Sequence, residues 1–356
     1  MKLMTKSQQA ETYLREAIKN GRWAVGERLP VENELMSELG VSKGTIREAL
    51  NGLAGTGLIL RQPKRGTFVS RVPAVGNVAI VSEAKLLASQ VQYIDFLIAD
   101  LAHRLIADSG YRPVMSIGHG NGPEAFISSL HLFERSVMKD TVGVLNTILM
   151  ADVEELLAAE GVPCVNINYG VPMHKHAVLF DGIKAYELGA EVLRACGYDD
   201  FAVMGVDFSQ ELIGDAIQQA NRQYERMIKA RLRISDDQFV RIPFTLDYRD
   251  AVPVFREWLE RPNRPRAMFF TDDCLLEAVS PLIMSLGVRI PEDLAIVMVS
   301  NAGRRYTLPM PLMRLEFDPE ILVSTAWDML SKLMNGEPVD QPVIHIPPVR
   351  RNGESL

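Results

Sequence analysis

Between residues 78 and 346 short apolar runs alternate with stretches of helical period, and this constrains the fold more than any other feature. The strand-like runs are Val78–Val81, Arg112–Ile117, Thr141–Leu145, Cys164–Asn168, Phe201–Gly205, Gln238–Ile242, Ala267–Thr271, Leu294–Val299 and Val343–Ile346. Between them the spacing predicts helices over Val91–Ser109, Gly122–Met138, Asp181–Ala195, Ala216–Arg231, Ala251–Glu260, Asp273–Leu286 and Pro319–Asn335. Strand–helix alternation of this length gives parallel sheets with helices on both faces, an α/β body. So many strands overfill one compact sheet, so the expectation is two similar lobes, each with its own sheet.

Ahead of the body lies a segment of different character. From Met1 to Gly76 there are 12 Lys and Arg against 7 Glu, a net of +5, in a chain whose overall charge is −7. A basic head on an acidic body is expected to meet a polyanion through the head alone. Gln8–Asn20 carries Ala10, Tyr13, Leu14, Ala17 and Ile18 at helical spacing. Glu32–Leu39 is a second short helix, stopped by Gly40. In the third, Lys43–Leu53, Ser42 is an N-cap residue, and Ile46, Ala49, Leu50 and Leu53 share one face. Lys43, Arg47 and Asn51 share the opposite face. A cationic, amide-bearing outer face behind a short helix and a tight turn is the layout of a helix-turn-helix reader. Leu58–Arg61 and Thr67–Ser70 then alternate like strands around Gln62-Pro63-Lys64-Arg65-Gly66, a basic-tipped hairpin.

These residues carry a resemblance. Leu29-Pro30-Val31-Glu32-Asn33-Glu34-Leu35, Val41–Leu50 and Arg65-Gly66-Thr67-Phe68-Val69 are similar to the GntR-type winged helix-turn-helix. The resemblance implies DNA contact by Ser42, Lys43, Gly44, Thr45, Arg47, Arg65 and Gly66. Val31 and Asn33 depart from it, since a small polar residue and an arginine are usual there. In the body, Val178–Gly182, Ala267–Asp273, Gly287–Ala295 and Pro311–Leu315 resemble the LacI/GalR family. That implies a two-lobed, periplasmic-binding-protein-like effector domain, and the head-to-body order resembles the arabinose-repressor group. The expected domains are a winged helix-turn-helix over 1–70, a linker over 71–77 and the effector domain over 78–351.

In open parallel sheets ligands sit beyond the carboxyl ends of the strands. The residues placed there are Ser82 and Glu83, His119 and Asn121, Asn146, Asn168 and Tyr169, Asp207 and Phe208, Asp272 and Asp273, and Ser300 and Asn301. The effector set expected from position and resemblance is Ser82, Tyr169, Phe208, Arg222, Asp273 and Asn301. Asp273 alternatively N-caps the helix behind it, as Asp181 is expected to do. Carboxylates, amides and one arginine around aromatic plates suit a polyhydroxylated ligand, a sugar or sugar derivative. Ser300 stands where the LacI/GalR pattern has a carboxylate, which argues against a typical free hexose.

Other chemistry finds little support. Gly118-His119-Gly120-Asn121-Gly122 lacks dinucleotide-loop spacing, His174 and His176 have no further metal ligand near them in sequence, and neither a nucleophile elbow nor a His-Glu-x-x-His occurs. Neither a cofactor nor enzymatic activity is expected. No apolar run approaches the roughly 20 residues of a membrane-spanning helix. A polar N-terminus and the widely spaced Cys164, Cys196 and Cys274 read as a cytoplasmic chain with reduced thiols. The expected function is a transcription regulator, a repressor, whose homodimer places two heads on a near-palindromic operator and whose bodies bind the effector. The alternative is a sugar-binding module with no DNA role.

Overall fold

The computed structural model describes residues 5–55, 58–62, 65–70, 76–83, 93–119, 123–148, 151–169, 175–207, 215–243, 248–304 and 312–351. Expectations on Lys64, residues 71–75, Asn121, His174 and Phe208 lie outside them.

The head begins with α1 (Lys6–Lys19), started by a capping box in which Thr5 and Gln8 satisfy each other's backbone N–H. Helix α2 (Glu32–Leu39) starts where the Glu34 carboxylate accepts from Val31 N–H. It ends at Gly40, whose φ of 62° is the left-handed conformation that closes a helix. Helix α3 (Lys43–Gly55) is capped by Ser42, whose Oγ accepts from Thr45 N–H. The hairpin β1 (Ile59–Gln62) and β2 (Gly66–Val69) is antiparallel, with Ile59 opposite Val69 and Gln62 opposite Gly66. Residues 26–29 lie along β2 as a further extended segment, through Leu29 N–H to Thr67 O and Val69 N–H to Glu27 O. Leu14, Ile18, Leu35, Ile46, Leu50, Leu53, Ile59 and Val69 meet in one core with Trp23.

Among the described residues the body has two six-stranded sheets. In the first lobe the order is β4 (Arg112–Gly118), β3 (Asn77–Glu83), β5 (Thr141–Asn146), β6 (Cys164–Tyr169), β7 (Ala177–Phe180) and β13 (Val343–Ile346). In the second it is β9 (Phe239–Pro243), β8 (Ala202–Asp207), β10 (Ala267–Phe270), β11 (Ala295–Asn301), β12 (Met313–Phe317) and β14 (Val349–Arg351). Strands β8 to β12 pair in parallel, and only the terminal β14 runs antiparallel. In each lobe the first strand lies inside the sheet, so the order reverses beside it, and such a switch point leaves room for a ligand at the strand ends.

Between the strands run α4 (Tyr93–Asp108), α5 (Pro123–Ser129), α6 (Arg135–Met138), α7 (Ala151–Ala159), α8 (Gly182–Ala195), α9 (Asp215–Leu232), α10 (Ala251–Leu259), α11 (Asp273–Ser285) and α12 (Pro319–Met334). The single helix expected over Gly122–Met138 is instead α5, a 3-10 turn over His131–Phe133, and α6. Serine hydroxyls compete with the helix there: Ser128 bonds Ala125 O, and Ser129 bonds Phe126 O while accepting from His119 N–H.

The chain crosses between lobes three times, after β7, after β12 and after β13. Helix α12 packs on β5, β6 and β7, so it returns the chain to the first lobe. The third crossover falls at Pro347-Pro348, because β13 first pairs with β7. At the crossovers Phe180 and Phe317 stack with ring centroids 4.4 Å apart, and Asp181 N–H donates to Ile346 O. Asp181 also caps α8, accepting from Lys184 N–H, as expected.

Helix α8 sits close on its sheet because position 189 lacks a side chain. A Cβ on Gly189 would lie 2.8 Å from the ring of Phe269, itself fully buried. Gly189→Ala is expected to destabilise the second lobe by about 1–3 kcal/mol through overpacking. Urea unfolding followed by circular dichroism checks this, and an unchanged midpoint would show that α8 can retreat freely.

Candidate DNA-reading face and effector residues

In the head, burial of Ile46, Ala49, Leu50 and Leu53 turns the other side of α3 to solvent. Ser42, Lys43, Gly44 and Arg47 are exposed, and Thr45 is half-buried. The hydroxyls of Ser42 and Thr45 bond each other at 2.9 Å, and Ser42 Oγ also accepts from Thr45 N–H, so the two close the helix start. Arg65 is exposed at the wing tip. Gly66 has φ of 121°, and the guanidinium of Arg28 lies where its Cβ would be, with Nε 2.4 Å from that point. No local pattern marks Arg28, well before the hairpin in sequence, as a part of the wing.

Glu32 organises this face. One carboxylate oxygen accepts from Arg47 Nε at 3.0 Å, and the other from Arg61 Nη2 at 2.8 Å. Arg61 also donates through Nη1 to Asn51 Oδ1 at 2.7 Å. Bound through Nε, Arg47 keeps both terminal nitrogens for an external partner, which is the edge that meets guanine or phosphate. A groove of about 530 Å³ runs beside it, lined by Arg28, Glu32, Arg61, Gln62 and Thr67 among others.

Of the effector candidates, Ser82, Tyr169 and Asn301 lie at the ends of β3, β6 and β11, Asp273 opens α11 behind β10, and Arg222 lies within α9. In the first lobe, Ser82 is buried near the end of β3, and its hydroxyl is 3.1 Å from that of Thr147. Asn146 and Asn166 are both fully buried and bonded to each other at 2.7 Å, and Asn146 also holds the turn at Ile148. Tyr169 is the last residue of β6.

In the second lobe, Asp272, and not Asp273, caps α11, accepting from Cys274 N–H at 2.7 Å and from the Tyr248 hydroxyl at 3.1 Å. Asp273 is 4% exposed and bound to Arg304 Nη1 at 2.5 Å. Arg304 also pairs with Glu277 and donates to Cys274 Sγ at 3.3 Å. Ser300 and Asn301 end β11, and the Ser300 hydroxyl is fully buried with no hydrogen-bond partner among the described residues. Arg222 is exposed on α9, where its carbonyl accepts from Arg226 Nε at 3.3 Å. The structure thus brings Asp273 near the end of β11 through Arg304, a partner that no sequence spacing announces. Asp272, Asp273 and Cys274 form a close acidic and thiol group, but the Arg304 guanidinium already binds Asp273 and Cys274.

Comparison with known proteins agrees with both halves. The model of bacterial regulatory proteins of the gntR family matches residues 6–69, and that of the periplasmic binding protein-like domain matches residues 190–355. The head is a GntR-type DNA-binding domain, and the body is a periplasmic-binding-protein-like, two-lobed domain. The arabinose metabolism transcriptional repressor of Halalkalibacterium halodurans is 21% identical over 286 residues, covering 75% of this chain and 72% of that protein. Its counterpart from Geobacillus stearothermophilus is 23% identical over 307 residues, covering 78% and 77%. The repressor NagR of Bacillus subtilis is 43% identical over 58 residues, but covers only 16% of this chain and 24% of that protein. Among solved structures, the Lac repressor bound to ONPG in its repressed state covers all of both chains, with a TM-score of 0.69 at 16% identity. The two parts define a DNA-binding transcription regulator that carries an effector domain.

Burial pushes the Asp272 carboxyl up to about 7, and the neighbouring Asp273 charge adds to the rise, against the hydrogen bonds from Cys274 and Tyr248. A carboxyl raised on folding contributes stability below its unfolded value, about 3.9, and loses it as pH climbs to about 7. Thermal midpoints of the wild type should therefore carry a downward component from pH 4 to 7 that Asp272→Asn removes. Parallel profiles for the two proteins would show that Asp272 is ionised throughout.

Proposed function

We propose that this chain is a cytoplasmic repressor that binds operator DNA as a homodimer and responds to a sugar or sugar derivative held between its two lobes. The proposed domains are the head over 1–70, a linker over 71–77 and the effector domain over 78–351. The observation that carries the reading is the outer face of α3, where Lys43 and Arg47 are exposed and Glu32 holds Arg47 by its inner nitrogen. Ser42, Gly44 and Thr45 contact phosphates through the helix start. Lys43 and Arg47 enter the major groove, and Arg65 and Gly66 carry the wing onto the backbone or into a minor groove.

The effector set is Ser82, Tyr169, Phe208, Arg222, Asp273 and Asn301, to which the geometry adds Arg304. Asp273 meets an effector only by sharing or releasing Arg304, so the two act together. The two curated arabinose repressors resemble the chain along most of its length, which supports a carbohydrate as effector class. Serine in place of a carboxylate at position 300 favours a derivative over a plain hexose. Met284 and Leu286, exposed at the end of α11, support pairing through the bodies. Closure of the lobes about the crossovers, where Phe180 stacks on Phe317, alters how two heads are presented, with a coupling of about 1–3 kcal/mol between effector and DNA.

Arg47→Ala is expected to weaken binding to a selected operator duplex by about 1–3 kcal/mol at fixed salt. Fluorescence anisotropy measures this, and unchanged affinity would remove Arg47 from the reading face. A thermal-shift panel of sugars, sugar acids and sugar phosphates tests the effector. A ligand that raises the melting temperature should also change DNA affinity, and a panel in which none does either contradicts the carbohydrate class.

A further inference from the structure

Asn51 lies two turns beyond Lys43 on the outer face of α3 and is exposed. Its amide orientation is dictated by its neighbour. Arg61, arriving from β1, carries only donors, so the group it meets at 2.7 Å is the carboxamide oxygen. The guanidinium is itself fixed by its second bond to Glu32, at 2.8 Å. Asn51 therefore turns its Nδ2 hydrogens away from Arg61, and its remaining oxygen lone pair lies beside a positive charge.

This decides what the side chain can read. Asparagine recognises adenine by donating to N7 and accepting from the N6 amino group, and needs both ends of its amide. Here the accepting end is held by a cation, which also repels an incoming amino group. We propose that Asn51 is a further DNA-contacting residue that acts as a donor only, meeting an acceptor oxygen or nitrogen on the duplex and rejecting the adenine edge. Arg61 is the positioning residue that imposes this polarity. The matching acceptors are a phosphate oxygen, guanine O6 and N7, or thymine O4.

The inference rests on the DNA-binding reading above, and the two can fail separately. A duplex is selected from a randomised pool with the full-length wild-type chain, and affinities are measured at one salt concentration. In the Asn51→Asp variant the new carboxylate keeps its partner in Arg61, so the fold is retained, while both outward donors are replaced by negative charge. Affinity for the selected duplex is expected to fall by about tenfold or more, against about threefold for Asn51→Ala. Repeating the selection with Asn51→Ala separates the acceptors. An unchanged consensus assigns the contact to phosphate, and a lost guanine or thymine assigns it to a base edge. Loss of a required adenine would overturn the inference, as would Asn51→Asp binding within a factor of about two of wild type. If the wild type enriches no duplex at all, the regulator reading itself falls.

Discussion

The reading face depends on the burial of one stripe of α3. Ile46, Ala49, Leu50 and Leu53 are at most 2% exposed. Each such aliphatic side chain is worth about 1.5–3 kcal/mol of burial, somewhat less for alanine. The ion pairs that Glu32 makes with Arg47 and Arg61 are half-exposed, and pairs of that kind are worth about 0–1 kcal/mol. Burial therefore sets which way the helix faces, and the ion pairs only arrange the groups already turned outward. Because the helical period is fixed, sending Ile46 and Leu50 inward sends Lys43, Arg47 and Asn51 out together.

The same division of labour holds in the body. Fully apolar strands such as β10 set the two sheets, and polar groups collect at the strand ends. Asp272, Asp273 and Arg304 meet there because the ends of β10 and β11 are adjacent in a parallel sheet. The stacked Phe180 and Phe317 and the Asp181–Ile346 bond tie the crossovers to one another. A rearrangement of one lobe against the other must pivot on these few residues.

The lobes, the winged helix and the cationic face were legible in the sequence, because each rests on a local period. Elements without one were not. Strand β7 is a short apolar run with every residue buried and no alternation to mark it. In β12, Arg314 and Glu316 interrupt the apolar pattern, and β14 is exposed at all three positions because it lies at a sheet edge. Helix α7 is short enough to escape the helical period. Glu32, Arg28, Arg61 and Arg304 are invisible for a different reason, since each acquires its role from a partner more than ten residues away.

The central claim is that the head engages a polyanion through outward cations, and the salt dependence of binding tests it most directly. Full-length protein titrated into a labelled duplex from low to moderate salt should lose affinity along a straight line on logarithmic axes. Each phosphate neutralised contributes a slope of about −0.9, so Arg65 on the backbone in both heads of a dimer predicts a slope of about −2 or steeper. A flat line, with binding indifferent to salt, would contradict it.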